Sequence, residues 1–381
     1  MRVLHVYSGN LYGGVETYLV TLARLRDLCP EMESEFALCF TGRLSEELQM
    51  NNARVHWLGG VRVSRPWTVH RGRMRLTDLL REKSFDAVVC HSVWSQSIFG
   101  PVVRTTRLPL VFYLHDATTG RHWLERRASR FLPDLAICNS LYTRSSAARI
   151  YPNVPNEVLY CPVAHPDYSA GMDRAEIRAE LATAADSVVI IQVSRMEAWK
   201  GHALHLEALA KLRHIPRWNA WIVGGAQRSR EGDYLQKLKQ RARSLEIAGR
   251  VRFLGQRRDV TRLLAAADIF CQPNLGPEPF GIAFVEGLRA GLPIVTTALG
   301  AAGEIVDESC GILVRPGDAE GLSQILEQLI QDASLRAKLG ACGPGRAREL
   351  CAPEQQVTAL MQVLSKAKSR NPETRFDRLP A

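Results

Sequence analysis

The chain of 381 residues contains no apolar run approaching the roughly 18–20 residues of a membrane-spanning helix. It has no C-x-x-C pair, and its nine cysteines are odd in number and show no paired spacing. A disulfide framework and a zinc-ribbon type of site are thereby excluded, and a reducing cytoplasmic setting is expected. No G-x-G-x-x-G follows a candidate strand and no acidic residue closes the second one, so the dinucleotide fingerprint is missing. No cleavage-type small-residue site follows Met1–Tyr7, which reads as a buried strand rather than a signal peptide. Lysine is scarce at the start: Lys83 is the only one in the first 163 residues. No nucleic-acid motif or aromatic–basic stripe accompanies the net charge of +10, so nucleic acid is not an expected partner.

What is present is a regular alternation of short apolar runs with segments of helical period. Candidate strands are Val3–Tyr7, Phe36–Phe40, Arg54–Leu58, Ala87–His91, Leu110–Leu114 and Leu135–Cys138. Candidate helices between them include Val15–Leu28, Arg73–Lys83 and Leu141–Ile150. The pattern breaks at Cys161-Pro-Val-Ala-His-Pro-Asp and restarts at Val188–Val193. Strands Ala220–Val223, Val251–Leu254, Ile269–Gln272, Ile294–Thr297 and Ile312–Val314 follow, separated by helices such as Ala203–Arg213, Tyr234–Leu245, Val260–Ala266 and Leu322–Gln331. This β-α-β order predicts an α/β protein of two tandem, Rossmann-like, doubly wound domains facing a cleft. The expected divisions are 1–163, 164–352, a C-terminal helix within 353–368 that packs back on the first domain, and a polar tail over 369–381.

The residues with chemistry in them cluster just after these strands. Pro277 to Gly281 is a loop held open by prolines and glycine, and Ile282–Ala290 reads as a helix whose first amides point back at it. The amides suit phosphates, while Glu278 and Glu286 suit hydroxyls, a combination that fits a nucleotide-sugar. Arg195 ends a strand and Lys200-Gly201 opens the next helix at the same sheet edge, placing a fork and a point charge where a diphosphate can be flanked. Gly13 and Gly14 follow the first strand and allow close backbone approach to an anion, with Glu16 in the first helical turn. His91-Ser92 and His115-Asp116 follow two further strands, where an imidazole can donate to a sugar hydroxyl or phosphate. Leu299-Gly-Ala-Ala-Gly-Glu304 is another small-residue loop after a strand, with Glu304 at a helix start.

Taken in order, Gly13-Gly14-Val15-Glu16, Arg195 with Lys200-Gly201, Val251-Arg-Phe-Leu-Gly255 and the Glu278/Glu286 pair resemble the retaining glycosyltransferases of family 4, of GT-B architecture. The resemblance covers nearly the whole chain and is strongest from Val188 to Pro316. It implies that Gly13 and Gly14 contact the donor diphosphate, that His115 lies against the donor sugar, and that Arg195 and Lys200 neutralise the leaving group. It further implies that Glu278 binds sugar hydroxyls and Glu286 the ribose, with Gly281 and Ile282 at the donor-facing helix start. Phe253 and Gly255 would lie beside the nucleobase, and Glu16 and His91 on the acceptor side. No cofactor and no metal are implied, and no D-x-D metal signature stands in a suitable loop. The chain departs from the family at Gly300-Ala301, where Gly-Gly is usual, and at Gly303, where Pro is usual.

The implied reaction moves a hexose-type sugar from a UDP- or GDP-linked donor to a saccharide or lipid-linked acceptor, with retention. A non-catalytic nucleotide-sugar binder and a nucleotide-sugar epimerase stay open as alternatives from the residues alone. The arginine-rich stretches Arg62–Arg75 and Arg121–Arg130 have two readings, solvated helix faces or a surface for peripheral contact with an anionic membrane. The expected location is cytoplasmic, at the inner membrane face if that contact is made.

Overall fold

The computed structural model describes residues 1–164 and 174–370. The interdomain stretch read from sequence runs past Ala164 and the polar tail past Arg370, so those parts lie outside the described residues. The chain divides into two compact units, Met1–Ala164 with Cys351–Ala381, and His165–Leu350. Among the described residues no helix is long and apolar enough to cross a membrane.

The first unit holds strands β1 (Arg2–Tyr7), β2 (Glu33–Leu38), β3 (Arg54–Trp57), β4 (Ala87–His91), β5 (Leu110–Leu114), β6 (Leu135–Cys138) and β7 (Asn156–Val158). They form one parallel sheet in the order β3-β2-β1-β4-β5-β6-β7. The second unit holds β8 (Val188–Val193), β9 (Trp218–Val223), β10 (Val251–Gly255), β11 (Ile269–Gln272), β12 (Ile294–Thr297) and β13 (Gly311–Val314). Its sheet is also parallel, in the order β10-β9-β8-β11-β12-β13. Both are doubly wound α/β sheets, as the alternation in the sequence requires.

Central strands such as Ala-Val-Val-Cys-His of β4 and Leu-Val-Phe-Tyr-Leu of β5 are buried throughout, which is why they read as unbroken apolar runs. Each buried Val, Leu or Phe side chain contributes about 1.5–3 kcal/mol relative to exposure. The last helix, Pro353–Arg370, belongs to the first unit and packs on β4 and β5. Its apolar stripe Val357, Leu360, Leu364 and Ala367 is almost fully buried.

Several elements differ from their sequence expectations. Helix Pro66–Glu82 begins a full two turns before Arg73, because Pro66 sits at its first position, where a missing N–H costs nothing. Helix Ser92–Val103 was not expected: it is buried on most of its surface, includes Ser95, Gln96 and Ser97 among the buried residues, and carries Pro101, so neither period nor composition marks it. Strand β7 is a half-buried, three-residue edge with no apolar run. Helix Ala333–Cys351 contains Pro344 and three glycines. Two of those glycines earn their place by contact: a Cβ at Gly340 would stand 2.1 Å from the Gly291 carbonyl oxygen, and one at Gly343 2.6 Å from that of Leu288. The helix thus lies against the C-terminal end of helix Ile282–Arg289.

In each sheet the strand order reverses direction once, between β1 and β4 and between β8 and β11. Ligands of open α/β sheets bind beyond the carboxyl ends of strands at such a reversal. Most of the candidate residues follow a strand or open the next helix, whereas His91, Phe253 and Gly255 lie within β4 and β10 and Glu286 lies inside helix Ile282–Arg289.

Candidate active site

In the second unit the site is built on the β8/β11 reversal. Beyond β8 the chain runs through Ser194, Arg195 and a 3-10 turn, Ala198–Lys200, into helix His202–Lys211. The turn must pass close under the loop after β11. Gly201 permits this with φ +75°, since a Cβ there would stand 1.8 Å from the Pro273 carbonyl oxygen. Leu275 N–H then donates to the Trp199 carbonyl at 2.7 Å, which stitches the two loops together.

Lys200 and Glu278, 78 residues apart, meet at this point. The Lys200 Nζ donates to Glu278 Oε2 at 2.6 Å, with both side chains largely buried. Asn274 Nδ2 and Gln272 Nε2 donate to the same oxygen at 2.9 and 3.2 Å. A carboxylate held by one ammonium and two amides is fixed in position and stays a hydrogen-bond acceptor. Lys200 Nζ also lies 4.0 Å from the centroid of the Trp199 ring. Arg195 pairs with Glu197 at 2.9 Å, and Trp199 Nε1 donates to that same carboxylate oxygen at 3.1 Å. From beneath, Gln192 Nε2 donates to the Lys200 carbonyl at 2.9 Å, and Gln192 Oε1 in turn holds His205 Nδ1 at 2.9 Å.

Glu286 stands in the second turn of helix Ile282–Arg289, which Gly281 starts with φ +100°. No hydrogen bond or ion pair of its side chain is recorded among the described residues, and burial pushes its carboxyl up to about 7. Glu286 and Glu278 therefore differ in kind: three donors converge on Glu278 Oε2, while none is recorded for the Glu286 carboxyl among the described residues. An unmatched, half-buried carboxyl is an acceptor in search of hydroxyl donors.

The Gly300-Ala301 departure is accommodated. The left-handed backbone falls on Gly300, φ +69°, where a Cβ would stand 2.2 Å from the Glu278 carbonyl oxygen. Ala301 keeps an ordinary φ of −81° and donates its N–H to that oxygen at 2.8 Å. The small-residue loop thus clasps the Glu278 backbone through the bridge Glu278↔Gly300. Phe253 packs against the apolar core of this unit, and Gly255 ends β10 at φ +67°, where its carbonyl accepts from Gly224 N–H at 2.8 Å.

In the first unit the candidates lie at the β1/β4 reversal and beside it. Glu16 is committed locally: Tyr7 Oη donates to Oε1 and Gly13 N–H to Oε2, each at 2.8 Å. That makes Glu16 an acceptor for the N–H of Gly13, the residue before helix Gly14–Arg24, a one-way cap because Gly13 has no side chain to answer it. His91 and His115 are not separate. His91 Nδ1 lies 2.8 Å from His115 Nε2, and His91 Nε2 lies 2.9 Å from His5 Nδ1. Burial holds His5 and His115 down at about 3 and His91 well below the ordinary histidine range, so all three are neutral near pH 7.

Sequence reasoning missed Gln272 and Asn274, which sit two residues apart at the end of β11, and Trp199 beside Lys200. Their position just past strand ends was the available signal. His5 lies within β1 and gave none.

Residues 12–165 match the model of Glycosyltransferase Family 4, and residues 173–346 match that of Glycosyl transferases group 1. Each unit thus matches a glycosyltransferase model, and the two matches together span most of the chain. Among curated relatives, the lipopolysaccharide core biosynthesis glycosyltransferase LpsE of Rhizobium meliloti is 36% identical over 44% of this chain and 46% of its own length, so this match spans under half of that relative. The phosphatidyl-myo-inositol mannosyltransferase of Mycolicibacterium smegmatis is 28% identical over 87% of this chain and 84% of its own. The solved structure of Anabaena HepE in complex with UDP and glucose aligns over 96% of this chain and 100% of that one, with a TM-score of 0.85 and 25% identity. The fold is that of the GT-B glycosyltransferases.

Proposed function

We propose that this chain is a retaining, metal-independent hexosyltransferase that uses a nucleoside-diphosphate-sugar, with UDP-linked glucose as the first donor to test. The observation that carries this is the buried Lys200–Glu278 pair at the β8/β11 reversal, taken with a Glu286 carboxyl for which no partner is recorded among the described residues. The likeness to HepE, which was solved with UDP and glucose, favours uridine over guanosine and glucose over mannose.

On this reading Glu286 accepts from the two ribose hydroxyls and Glu278 from hydroxyls of the transferred sugar. Arg195 and Lys200 stabilise the charge that develops on the diphosphate as the bond from the sugar C1 to its phosphate oxygen breaks. The acceptor hydroxyl attacks C1 on the face the diphosphate leaves, and its proton passes to the departing phosphate oxygen. The two cations supply the electrostatic stabilisation, so this scheme calls on no metal ion and no carboxylate nucleophile. His115 is neutral near pH 7 and acts as a hydrogen-bonding partner of the donor sugar, not as a charged acid. At this helix start the Gly14 amide serves the donor phosphates, the Gly13 amide being taken by the Glu16 carboxylate.

The acceptor is a saccharide or a lipid-linked molecule, a reading supported by the similar lipopolysaccharide core glycosyltransferase LpsE and phosphatidyl-myo-inositol mannosyltransferase. Helix Pro66–Glu82 exposes Trp67 and Met74 beside Arg71 and Arg75, a face suited to peripheral contact with an anionic bilayer. Calorimetry with UDP, GDP, ADP and their glucose and mannose conjugates tests the donor. Tight binding of one nucleotide, weakened in Glu286→Ala, supports the site; no binding to any of them refutes it. The anomeric configuration of the product, read by NMR, decides retention.

A further inference from the structure

The three buried histidines of the first unit form one line with Ser34, and the sheet register explains it. Ser34 is opposite Val3, His5 is opposite Val89, and His91 is opposite Tyr113. Each member of the series Ser34, His5, His91, His115 therefore stands two residues further along the neighbouring strand than the one before it. Residues two apart share a face, so β2, β1, β4 and the end of β5 carry a diagonal of polar side chains on one face of the sheet. It rises from the amino end of β2 to the carboxyl edge beyond β5.

The contacts along it are continuous: Ser34 Oγ to His5 Nε2 at 3.3 Å, His5 Nδ1 to His91 Nε2 at 2.9 Å, and His91 Nδ1 to His115 Nε2 at 2.8 Å. Phe36 stacks on His5, and Tyr113 stacks on His91 and on His115, the latter at 4.3 Å between centroids. These rings hold the imidazoles in place. His115 Nδ1, at the end of the line, has no hydrogen-bond partner recorded among the described residues.

A neutral imidazole carries one N–H and one lone pair. Three in series can satisfy their shared bonds in two ways only, with every N–H pointing toward Ser34 or every N–H pointing away from it. In the first arrangement all three are Nε2–H tautomers, the form that free histidine prefers, and Ser34 Oγ accepts the last bond. His115 Nδ1 then presents a lone pair.

We infer that His5 and His91 are positioning residues, with Ser34 as terminus, that lock His115 in its Nε2–H tautomer so that Nδ1 accepts a hydrogen bond from a sugar hydroxyl. The hydroxyl ligand rests on the function proposed above; the locked tautomer does not. Removing the acceptor at position 5 reverses the line. His91 Nε2–H loses its partner, His91 becomes Nδ1–H and donates to His115 Nε2, and the His115 proton is displaced to Nδ1. An acceptor at the sugar is thereby replaced by a donor.

The test is two-bond ¹⁵N–¹H correlation NMR of the histidine-labelled full chain, wild type and His5→Leu, together with transfer kinetics. The expected result is Nε2–H for all three rings in the wild type and Nδ1–H for His91 and His115 in His5→Leu. In the same variant kcat/KM falls roughly tenfold, as loss of one hydrogen bond in the transition state predicts. His5→Asn places an amide oxygen near the Nδ1 position, and restores both the tautomer and the rate. An unchanged His115 tautomer in His5→Leu, or a mixture in the wild type, overturns the locked line. A switched tautomer with undiminished transfer overturns its role toward the sugar. Absence of transfer from every nucleotide-sugar refutes the function proposed above, and leaves the tautomer measurement to decide the line by itself.

Discussion

The two strand-order reversals use the same backbone geometry for opposite electrostatics. At β1/β4 the buried polar line is of neutral imidazoles linked in series, stripped of charge by burial, with the Glu16 carboxylate held at the helix start beside it. At β8/β11 they are ions, Lys200 against Glu278 and Arg195 against Glu197. Strand order about the reversal is alike in the two sheets, so topology selects where chemistry sits and the residues placed there select its kind. A neutral line suits recognition of hydroxyls. A cluster of ions suits a group that changes charge.

If that contrast is right, the largest effect comes from the charged side. Lys200→Ala should lower kcat roughly 10²–10³-fold, the scale of one lost electrostatic stabiliser, and leave a carboxylate at Glu278 without its cation. Steady-state transfer kinetics checks this, and a loss below tenfold would place the cation outside the reaction.

Crowding differs next. Gly201 after β8 and Gly9 after β1 both have positive φ, +75° and +79°, yet a Cβ meets the Pro273 oxygen at 1.8 Å in one case and the Phe40 oxygen at 3.2 Å in the other. Gly201→Ala should therefore cost about 3 kcal/mol and Gly9→Ala about 1 kcal/mol in denaturant unfolding. Equal costs would mean that backbone conformation alone, and not the close approach of the two loops, decides.

Two carboxyls, Glu35 and Glu286, sharpen the comparison through pH. Glu35, in the first unit, is pushed up by burial, but hydrogen bonds from His56, Arg2 and Arg54, with Lys83 nearby, outweigh this and hold it at about 2. Its stabilisation is complete above the unfolded value of 4.5 and is lost as pH falls toward 2. Glu286 is raised to about 7, so its contribution is complete below 4.5 and is lost as pH rises through about 7. Glu35→Gln should flatten the acid limb of the melting-temperature profile, and Glu286→Gln the limb between pH 5 and 8. Identical profiles for Glu286→Gln and wild type would show that its carboxyl is not raised.

The smallest effect concerns the outer face of helix Pro66–Glu82. Trp67→Ala with Met74→Ala should weaken sedimentation with anionic vesicles a few-fold, the scale of one or two partly buried apolar side chains, without altering donor binding. No loss of sedimentation would leave that face simply solvated.

Much of the scaffold was legible because its central strands are short, apolar and buried on both faces. β4, β5, β6, β8, β11 and β12 occupy the residues their patterns indicate. The edge strand β7 and the helices Ser92–Val103 and Ala333–Cys351 were not, since their signals lie in tertiary contacts: a pleat edge, a helix buried on most of its surface, and glycines fitted to a neighbouring backbone. Arg195, Lys200 and Glu278 could be assigned to one sheet edge from their places after strands. That Lys200 and Glu278 touch depends on β8 and β11 being neighbours, which sequence spacing does not state. The histidine line was further out of reach, because it exists only once β2, β1, β4 and β5 are ordered and registered.

The return of helix Pro353–Arg370 to β4 and β5 has a consequence for how the molecule is made. The first unit is assembled from both ends of the chain, with the whole second unit encoded between them. During synthesis the apolar side of β4 and β5 that this helix covers leaves the ribosome more than two hundred residues before its cover does. At about 5–20 residues per second that is an interval of roughly 10–50 seconds. Through that interval the second unit can fold on its own sequence, while the first must wait with part of its core open, a natural client for a chaperone.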